Sequence, residues 1–340
     1  MKTVPLASAR RLSVAPMMEW TDRHCRRFHR AFSRRALLYT EMVTASGLVI
    51  GEADWLLAHS TQEHPLALQL GGSEPEMLAR AVEMALPFGF EEINLNVGCP
   101  SDRVQSGAFG ACLMREPDLV ARICAAMRAA AGPGGPEITV KCRIGVDDQD
   151  PAEALPRFVD TVAEAGVRVF VVHARKAWLK GLSPKENRTV PPLDYGLVER
   201  LAGERPDLTI CLNGGIQSLE DGLTHLASFP GIMVGRAAYH DPAGILGAAD
   251  ARVWGAAAGP VAAEDAVRAM LPYIDRECSL GTPLNRITRH MLGAFAGRPG
   301  ARRWRRRLSE EAVRPGAGPE LVAEALEEIA AATPARTAAE

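Results

Sequence analysis

The sequence lacks the features of a secreted or membrane-spanning chain. Its 340 residues include seven cysteines but no C-x-x-C pair, which argues against a zinc ribbon or a disulfide scaffold. No stretch reaches the roughly 18 apolar residues that cross a bilayer, and the first residues contain no apolar h-region. Cys25 and His29 are spaced to face each other on a helix, but two such residues do not make a metal site. These absences predict a cytosolic protein with reduced thiols, no membrane segment and no metal.

Lysine is also scarce, since the chain has only five lysines against 34 arginines. Three of the five, Lys176, Lys180 and Lys185, nevertheless fall in one loop, and Lys141 ends a predicted strand. An ammonium group is a compact point charge, whereas a guanidinium group is a planar fork. We therefore interpret these positions as ones that need a compact charge.

Charge is unevenly distributed, although the net charge of −2 indicates no partner by itself. Residues 268–307 carry ten arginines against two acidic residues, whereas residues 308–340 carry seven glutamates against two arginines. A basic block followed by an acidic tail predicts an anionic partner. A solvated helical face is the other interpretation of the basic block.

Short apolar or β-branched runs alternate with amphipathic stretches over most of the chain. The predicted strands begin near Leu12, Leu37, Leu66, Ile93, Ile138, Val167, Leu208 and Gly231. Parallel neighbours need crossover connections, so eight such units predict an α/β fold, a (β/α)₈ TIM barrel. A doubly wound sheet is the alternative, weakened because Ala15–Met18 stands where a G-x-G-x-x-G would follow the first strand.

The pattern changes after Gly247, where strand signals end and helical periods cover 262–278, 283–295, 301–313 and 319–332. We predict a catalytic barrel domain over residues 1–250 and an all-helical domain over residues 251–333. Residues 334–340 are expected to form a frayed tail.

Active sites of TIM barrels lie at the carboxyl ends of the strands. Polar residues and glycines are concentrated at these predicted ends. Because the strands themselves are largely apolar, such a number of polar residues at their ends indicates a functional site. The residues at these predicted ends are Pro16, Met17, Glu41, Gln69, Asn94–Cys99, Lys141, Arg143, His173, Arg175, Asn213–Gly215, Gly235 and Arg236.

The seventh and eighth strands are followed by Asn213-Gly214-Gly215 and by Gly235-Arg236. These two loops are the usual phosphate cradle of such barrels. Glycine lets backbone N–H groups approach a phosphate closely, and the arginine adds charge. Tight turns are the alternative for each loop alone, but together they predict a phosphate-bearing ligand.

The loop 174–192, hereafter the basic loop, has five basic residues against Glu186. It also carries Trp178, which could stack on a base. A long charged loop at the catalytic face of a barrel is more often functional than merely solvated.

Cys99 follows the fourth predicted strand directly, in the segment LNVGCP. A thiol in this position is a candidate nucleophile or proton donor. No histidine is adjacent in sequence to stabilise a thiolate, which favours a protonated thiol that acts as an acid. A buried structural cysteine is the alternative.

Five segments together resemble the tRNA-dihydrouridine synthase family, and within it the A-type subfamily. They are APMMEWTDRHCRRF (15–28), LNVGCPSDRVQSGAFGACLM (95–114), HARKAWLKGLSPKENRTVPPLDY (173–195), NGGI (213–216) and PGARRWRRRLSE (299–310). The resemblance runs from about residue 12 to 315. Glu19 stands where aspartate is more usual, and Ser106 and Ala108 vary the loop after Cys99.

The resemblance implies an FMN-containing barrel that uses NADPH to reduce the 5,6 double bond of D-loop uridines 20 and 20a, together with a helical domain that grips tRNA. It implies no membrane and no obligate protein partner. Cys99 would be the proton donor. The FMN-binding residues would be Pro16, Met17, Met18, Gln69, Lys141, His173, Asn213, Gly214, Gly215, Gly235 and Arg236. The tRNA-binding residues would be Asn96, Lys185, Arg188, Arg302 and Arg305.

Two other functions remain open at this point. An FMN barrel that acts on a free pyrimidine would lack the basic helical domain and would turn over small substrates. An RNA-binding protein that has lost its flavin would be colourless when purified.

Overall fold

The computed structural model describes residues 4–101 and 109–332. The predictions for Ser106, Ala108 and the tail 334–340 lie outside these residues. Within them, no helix is both long and apolar enough to cross a membrane.

Eight parallel strands form a closed barrel in which each strand pairs with its neighbours in chain order and the last pairs with the first. The strands are β1 (Leu12–Val14), β2 (Leu37–Thr44), β3 (Leu66–Gly71), β4 (Glu92–Val97), β5 (Glu137–Arg143), β6 (Val169–His173), β7 (Thr209–Asn213) and β8 (Ile232–Val234). The prediction of a TIM barrel is confirmed.

Helices connect the strands and follow the last of them. In the described residues they are α1 (Leu6–Ala9), α2 (Arg23–Phe32), α3 (Ala45–Val49), α4 (Pro75–Ala85), α5 (Pro117–Ala131), α6 (Pro151–Glu164), α7 (Tyr195–Glu204), α8 (Leu219–His225), α9 (Arg236–His240), α10 (Pro242–Leu246), α11 (Ala249–Trp254), α12 (Ala263–Ser279), α13 (Leu284–Thr288), α14 (Ala301–Glu310) and α15 (Pro319–Ala332). Short 3₁₀ turns lie at Asp54–Leu57, Thr61–Glu63, Leu86–Phe88, Gly110–Arg115 and Glu186–Arg188.

Local sequence accounts for the barrel helices, as α6 shows. Asp150 precedes the helix and accepts a hydrogen bond from the backbone N–H of Ala152 (2.9 Å), while Pro151 fills the first helical position. Leu155, Phe158 and Val162 recur at spacings of three and four residues and are buried. This period is that of an amphipathic helix, so one face of α6 is apolar.

The chain folds into two compact units. The first comprises Met1–Glu19 and Leu37–Gly235, and the second comprises Trp20–Ala36 and Arg236–Glu340. The packing therefore groups α2 with the C-terminal helices and begins their unit at Arg236, whereas the sequence suggested a boundary at 250. Whether residues 1–250 and 251–333 are separate domains stays a prediction.

Asp22 organises the second unit. Its Oδ1 caps α2 by accepting hydrogen bonds from the backbone N–H groups of His24 (2.9 Å) and Cys25 (3.0 Å). Its Oδ2 accepts from the side chains of Arg289 (3.0 Å) and His290 (2.9 Å). Helix α13 ends at Thr288 and does not reach the predicted residue 295, because the backbone hydrogen bonds that follow it span three residues instead of four.

Side chains of α2 also bind α12. His24 Nδ1 lies 2.7 Å from the Tyr273 hydroxyl, and Arg23 pairs with Glu277 at 2.7 Å. Burial lowers the pKa of His24 from its usual 6.5 to about 4, and that of the buried His29 to about 3. Both rings are therefore neutral in the folded protein at neutral pH.

We expect acid to destabilise the second unit. Between about pH 6.5 and pH 4 the unfolded chain takes up protons on His24 and His29 that the folded chain does not, so the free energy of unfolding falls by about 1.4 kcal/mol per pH unit for each histidine. Urea unfolding at pH 7, 6 and 5 measures this slope. A His24→Gln, His29→Gln variant should show a shallower slope than wild type. A variant at the exposed His240 (His240→Gln) should not, and an unchanged slope in the double variant would contradict the assignment.

Candidate active site

The register of the barrel brings the predicted site residues together. Asn96 on β4 pairs with Lys141 on β5, Arg143 on β5 with His173 on β6, and His173 with Asn213 on β7. All five lie at or near the carboxyl ends of parallel strands. The strand-end rule therefore located a real cluster of polar groups at one end of the barrel.

Cys99 lies two residues beyond β4, and its backbone is fixed on both sides. Oδ1 of Asn96 accepts hydrogen bonds from the backbone N–H groups of Gly98 (3.1 Å) and Cys99 (3.0 Å). The Cys99 carbonyl accepts from the N–H of Ala111 (2.9 Å), and its Sγ lies 3.4 Å from the hydroxyl of Ser101. The residue is partly exposed. Cys99 thus combines a fixed backbone with partial exposure.

A buried series of amides continues from Asn96 into the barrel. Asn96 Nδ2 donates to Gln69 Oε1 (2.8 Å), Gln69 Nε2 donates to Asn94 Oδ1 (2.9 Å), and Asn94 Nδ2 donates to the hydroxyl of Thr139 (2.8 Å). These bonds fix the amide orientations of all three side chains. One of the two Nδ2 hydrogens of Asn96 has no acceptor among the described residues and remains available to a ligand.

This series of amides ends on a buried carboxylate that the sequence did not reveal. Glu92 accepts hydrogen bonds from the hydroxyl of Thr139 (2.6 Å), from Arg10 Nε (2.8 Å) and from the hydroxyl of Tyr39. Burial and the Glu92 carboxylate hold the pKa of Tyr39 well above its usual value, so this hydroxyl stays a donor. A charged residue at the first position of a predicted buried strand was the available signal, since buried charges are almost always paired.

Cationic groups dominate the carboxyl ends of β5 and β6, the strands that follow Cys99 in the barrel. Burial, with a contribution from Arg143, lowers the pKa of Lys141 to about 8. Burial and the charges of Arg143, Lys141, Arg175 and Arg188 hold the pKa of His173 well below its usual value. Neither Lys141 nor Arg143 has a carboxylate within ion-pair distance among the described residues. An excess of positive charge with a neutral imidazole suits an anionic ligand.

Two glycines after β7 hold backbone conformations that other residues rarely adopt. Gly214 has a φ of 109° and Gly215 a φ of 76°. A Cβ on Gly214 would lie 2.5 Å from Cδ2 of His173, and the carbonyl of Gly214 accepts a hydrogen bond from the hydroxyl of Tyr195 (2.7 Å). Asn213 is held in turn by the bond from its Nδ2 to the carbonyl of Met233 (2.7 Å). The backbone of this loop is therefore close to the His173 ring.

The remaining predicted cofactor residues follow β1 and β8. A Cβ on Gly235 would contact Ala15 Cβ at 3.7 Å and Met17 Sδ at 3.9 Å, which are ordinary van der Waals distances. Pro16 and Met17 are partly buried and Met18 is exposed. Arg236 begins α9 in the second unit, so only its adjacency to Gly235 in sequence connects it with the loop after β8. The roles predicted for these residues stay predictions.

The basic loop presents its charges outward. Lys185 and Arg188 are exposed, at the start and end of a single 3₁₀ turn. Trp178 is 43% exposed, and Lys176 Nζ lies 5.4 Å from the centroid of its ring. The predicted stacking role of Trp178 is compatible with this exposure and stays a prediction.

Helix α14 divides its arginines between two faces. Trp304 is buried and donates from Nε1 to the carbonyl of Met291 (2.9 Å), which fixes the rotation of the helix. Arg302 and Arg305 are exposed, and no carboxylate of the described residues pairs with either of them.

The other face of α14 is neutralised by acidic side chains. Arg307 pairs with Glu311 (3.2 Å), Glu324 (2.9 Å) and Glu328 (2.8 Å), and Arg303 lies 3.7 Å from Glu328. The acidic tail noted in the sequence thus partly covers the basic helix, because α15 supplies two of these glutamates. These acidic side chains do not neutralise Arg302 and Arg305, whose charges are available to bind an anionic partner.

The described residues contain no group of three or more histidine, cysteine, aspartate or glutamate side chains that could hold a metal ion. Cys25 and His29 do face each other, with Sγ 3.6 Å from Nε2, but the pair is buried. The chemistry available at the barrel end is that of the Cys99 thiol, a lysine, a neutral histidine and a glycine-rich backbone.

A family model described as dihydrouridine synthase matches residues 13–330. The tRNA-dihydrouridine(20/20a) synthase of Vibrio cholerae is 54% identical over 320 residues, covering 94% of this chain and 96% of that protein. The protein of the same name from Xanthomonas axonopodis pv. citri is 56% identical over 321 residues, covering 94% of each chain. Among solved structures, an old yellow enzyme homologue from Zymomonas mobilis is 12% identical, with a TM-score of 0.48 and coverage of 68% of this chain and 86% of that one.

Dihydrouridine synthases are flavin-dependent oxidoreductases that reduce uridine in tRNA to dihydrouridine. The resemblance seen in the sequence motifs is confirmed by the family model and by relatives that are more than half identical along nearly the whole chain. This chain belongs to the dihydrouridine synthase family.

Proposed function

We propose that this chain reduces uridines 20 and 20a of tRNA to dihydrouridine, with FMN as its cofactor and NADPH as its reductant. The two positions are those in the names of its relatives. The observation that carries the proposal is the fixed backbone of Cys99, a partly exposed residue, beside a cationic barrel end. The proposal puts the protein in the cytoplasm, with tRNA as its partner and no obligate protein partner.

The residues at the barrel end fit FMN. A phosphate needs backbone N–H groups at close approach and positive charge, which Gly214, Gly215 and Gly235 with Arg236 would provide. The described atoms around Gly235 tolerate a Cβ, so a ligand rather than the protein would require glycine there. Gln69 has both ends of its amide oriented by neighbours, and its second N–H would be the group offered to a heterocyclic ring edge.

The residues of this chain would act on the uracil as follows. Bound FMN, once reduced by NADPH, would supply the hydride that adds to C6. Cys99 would donate a proton to C5 as negative charge develops on the ring, which is general acid catalysis. Lys141, with a pKa of about 8, stays mostly protonated at neutral pH and would stabilise that charge. His173, being neutral, could donate a hydrogen bond without adding to the net charge.

The uridine must leave the tRNA stack to reach a thiol at the end of a barrel. Lys185 and Arg188 on the basic loop would bind phosphates near the site, and Arg302 and Arg305 would bind further phosphates from α14. Phosphate contacts fix orientation without reading sequence, so Lys185 and Arg188, in the unit that carries Cys99, would influence which nucleotide meets the thiol.

Mass spectrometry of tRNA tests this function. Transfer RNA from cells with and without the gene should differ at D-loop positions 20 and 20a by the mass of two hydrogen atoms per nucleotide. The purified protein should be yellow and should restore this mass to the unmodified tRNA with NADPH. An unchanged D-loop would overturn the proposal. A yellow protein that reduces free uracil would indicate a pyrimidine dehydrogenase, and a colourless one that binds tRNA would indicate an RNA-binding protein.

The unpaired face of α14 predicts how tRNA binding depends on salt. Replacing Arg302 and Arg305 together with alanine should weaken binding and reduce the slope of log K against log salt by about 0.7–0.9 for every phosphate that the protein no longer binds. Arg303→Ala, which removes the same charge beside Glu328, should change the slope less. Flavin content should stay normal in both variants. Wild-type affinity of the double variant across a salt titration would mean that this face of α14 is merely solvated.

A further inference from the structure

Arg143 differs from the other cations at the end of the barrel. It is buried, and its side chain donates hydrogen bonds to three backbone carbonyl groups. Its Nε donates to Gly98 (3.1 Å), and one terminal nitrogen donates to Asn187 (2.8 Å) and to Lys176 (3.2 Å). Burial lowers the pKa of Arg143 to about 10, so the group is still charged at neutral pH.

These three carbonyl groups belong to two different loops. Gly98 directly precedes Cys99, whereas Lys176 and Asn187 lie in the basic loop. One guanidinium group therefore spans the segment that carries the thiol and the loop that carries Lys185 and Arg188. Only a planar fork with donors on separate nitrogens can reach both sides at once, and lysine has a single nitrogen.

The basic loop is itself built around Asn187. Its side chain is fully buried, accepts from the N–H of Trp178 (2.7 Å), and donates to the carbonyl groups of Trp178 (2.8 Å) and Leu182 (3.1 Å). The carboxylate of Asp147 also accepts a hydrogen bond from the backbone N–H of Leu179 (2.8 Å). Because Asn187 closes the loop on itself, a bond to its carbonyl positions the whole loop.

A buried charge without a carboxylate is costly, and its removal leaves carbonyl groups unpaired. We propose that Arg143 is a positioning residue that connects Gly98 and Cys99 to the basic loop. Through this connection, tRNA bound to that loop meets the thiol in a fixed geometry. The inference rests on the proposed function. It assigns to Arg143 no contact with flavin or substrate.

Two variants disturb this connection from opposite sides. Arg143→Lys removes the guanidinium fork. Asn187→Ala keeps the backbone carbonyl that Arg143 binds but removes the side-chain bonds that order the loop around it, without touching the strand ends. Arg168→Lys is the matched control, because Arg168 also donates to backbone carbonyl groups, those of Ala163 (2.8 Å) and Val167 (3.1 Å), before β6 at the other end of the barrel.

In flavin-loaded protein, both variants should be reduced by NADPH at the wild-type rate. Reduction of tRNA uridine in a single turnover should slow about 10²-fold, the usual cost of misplacing a reacting group by about 1 Å. The double variant should be no slower than the worse single variant, because both changes break one connection. Arg168→Lys should match wild type in both half-reactions.

Equal loss in the two half-reactions would mean that Arg143 is only structural. A wild-type rate of uridine reduction in Asn187→Ala would refute this connection, even if Arg143→Lys does not fold. Failure of the proposed function is recognised separately, as a wild-type chain that reduces no uridine.

Two further measurements need no tRNA. They are the rate of tryptic cleavage after Lys176, Lys180 and Lys185 and the rate of alkylation of Cys99 by iodoacetamide. Both should be faster in the two variants than in Arg168→Lys, and unchanged rates would overturn the inference.

Discussion

Replacing Cys99 with alanine is expected to slow uridine reduction by about 10²–10⁴-fold, the usual contribution of a general acid. Reduction of the flavin by NADPH should be unaffected, because that step needs no proton at C5 of the uracil. The fold around residue 99 should survive, since Asn96 and Ala111 bind its backbone and not its thiol. Stopped-flow measurement of the two half-reactions separates these effects.

Cys112 provides a matched control for Cys99. It is also partly buried, its thiol donates to the carbonyl of Phe109 (3.0 Å), and burial raises its pKa. Cys112→Ala removes the same atom in the same region and should retain the wild-type rate of uridine reduction. If Cys99→Ala slows both half-reactions alike, Cys99 is a structural residue and another proton donor has to be found.

Gly214→Val is expected to lower flavin retention. The φ of 109° is strained for any side chain, and a Cβ there would lie 2.5 Å from Cδ2 of His173, so the ring must move. Displacing His173 and closing the backbone cradle should weaken FMN binding by more than about tenfold, the factor that corresponds to 1.4 kcal/mol. The ratio of flavin to protein absorbance after gel filtration measures the effect.

The matched control for this substitution is Gly132→Val. Gly132 also has a positive φ, of 66°, but a Cβ there would meet no atom of the described residues within 4 Å. That variant should lose about 1–2 kcal/mol of stability through backbone strain and still bind flavin. Full flavin occupancy in a folded Gly214→Val protein would contradict the assignment of this glycine loop to the phosphate-binding site.

The barrel could be predicted from sequence because strand and helix patterns alternate in a parallel sheet and every strand is buried on both faces. The strand-end rule then selected Lys141, His173 and Asn213 without knowledge of any contact. This works because the ends of all eight strands meet, whichever residues occupy them. Assignment of roles to these residues came from the family resemblance.

Other features depend on contacts between distant segments. Asn187 looks like any polar loop residue in sequence, and only the fold shows that it is buried and bonded to Trp178. Glu92 accepts from Arg10 and Thr139, which are 82 and 47 residues away. Asp22 accepts from His290, which lies 268 residues later in the chain. No local pattern encodes such pairings.

The grouping of α2 with the C-terminal helices has a consequence for synthesis on the ribosome. His24 emerges 249 residues ahead of Tyr273, its hydrogen-bond partner, and all strands from β2 to β8 are made in between. Domains generally fold in the order in which they are translated. Helix α2 carries Phe28 and Phe32, which are buried in the finished protein. Its contacts with α12 can form only after the last quarter of the chain has been made. A nascent chain stalled after residue 235 should therefore bind chaperones through α2 even when its barrel strands are complete.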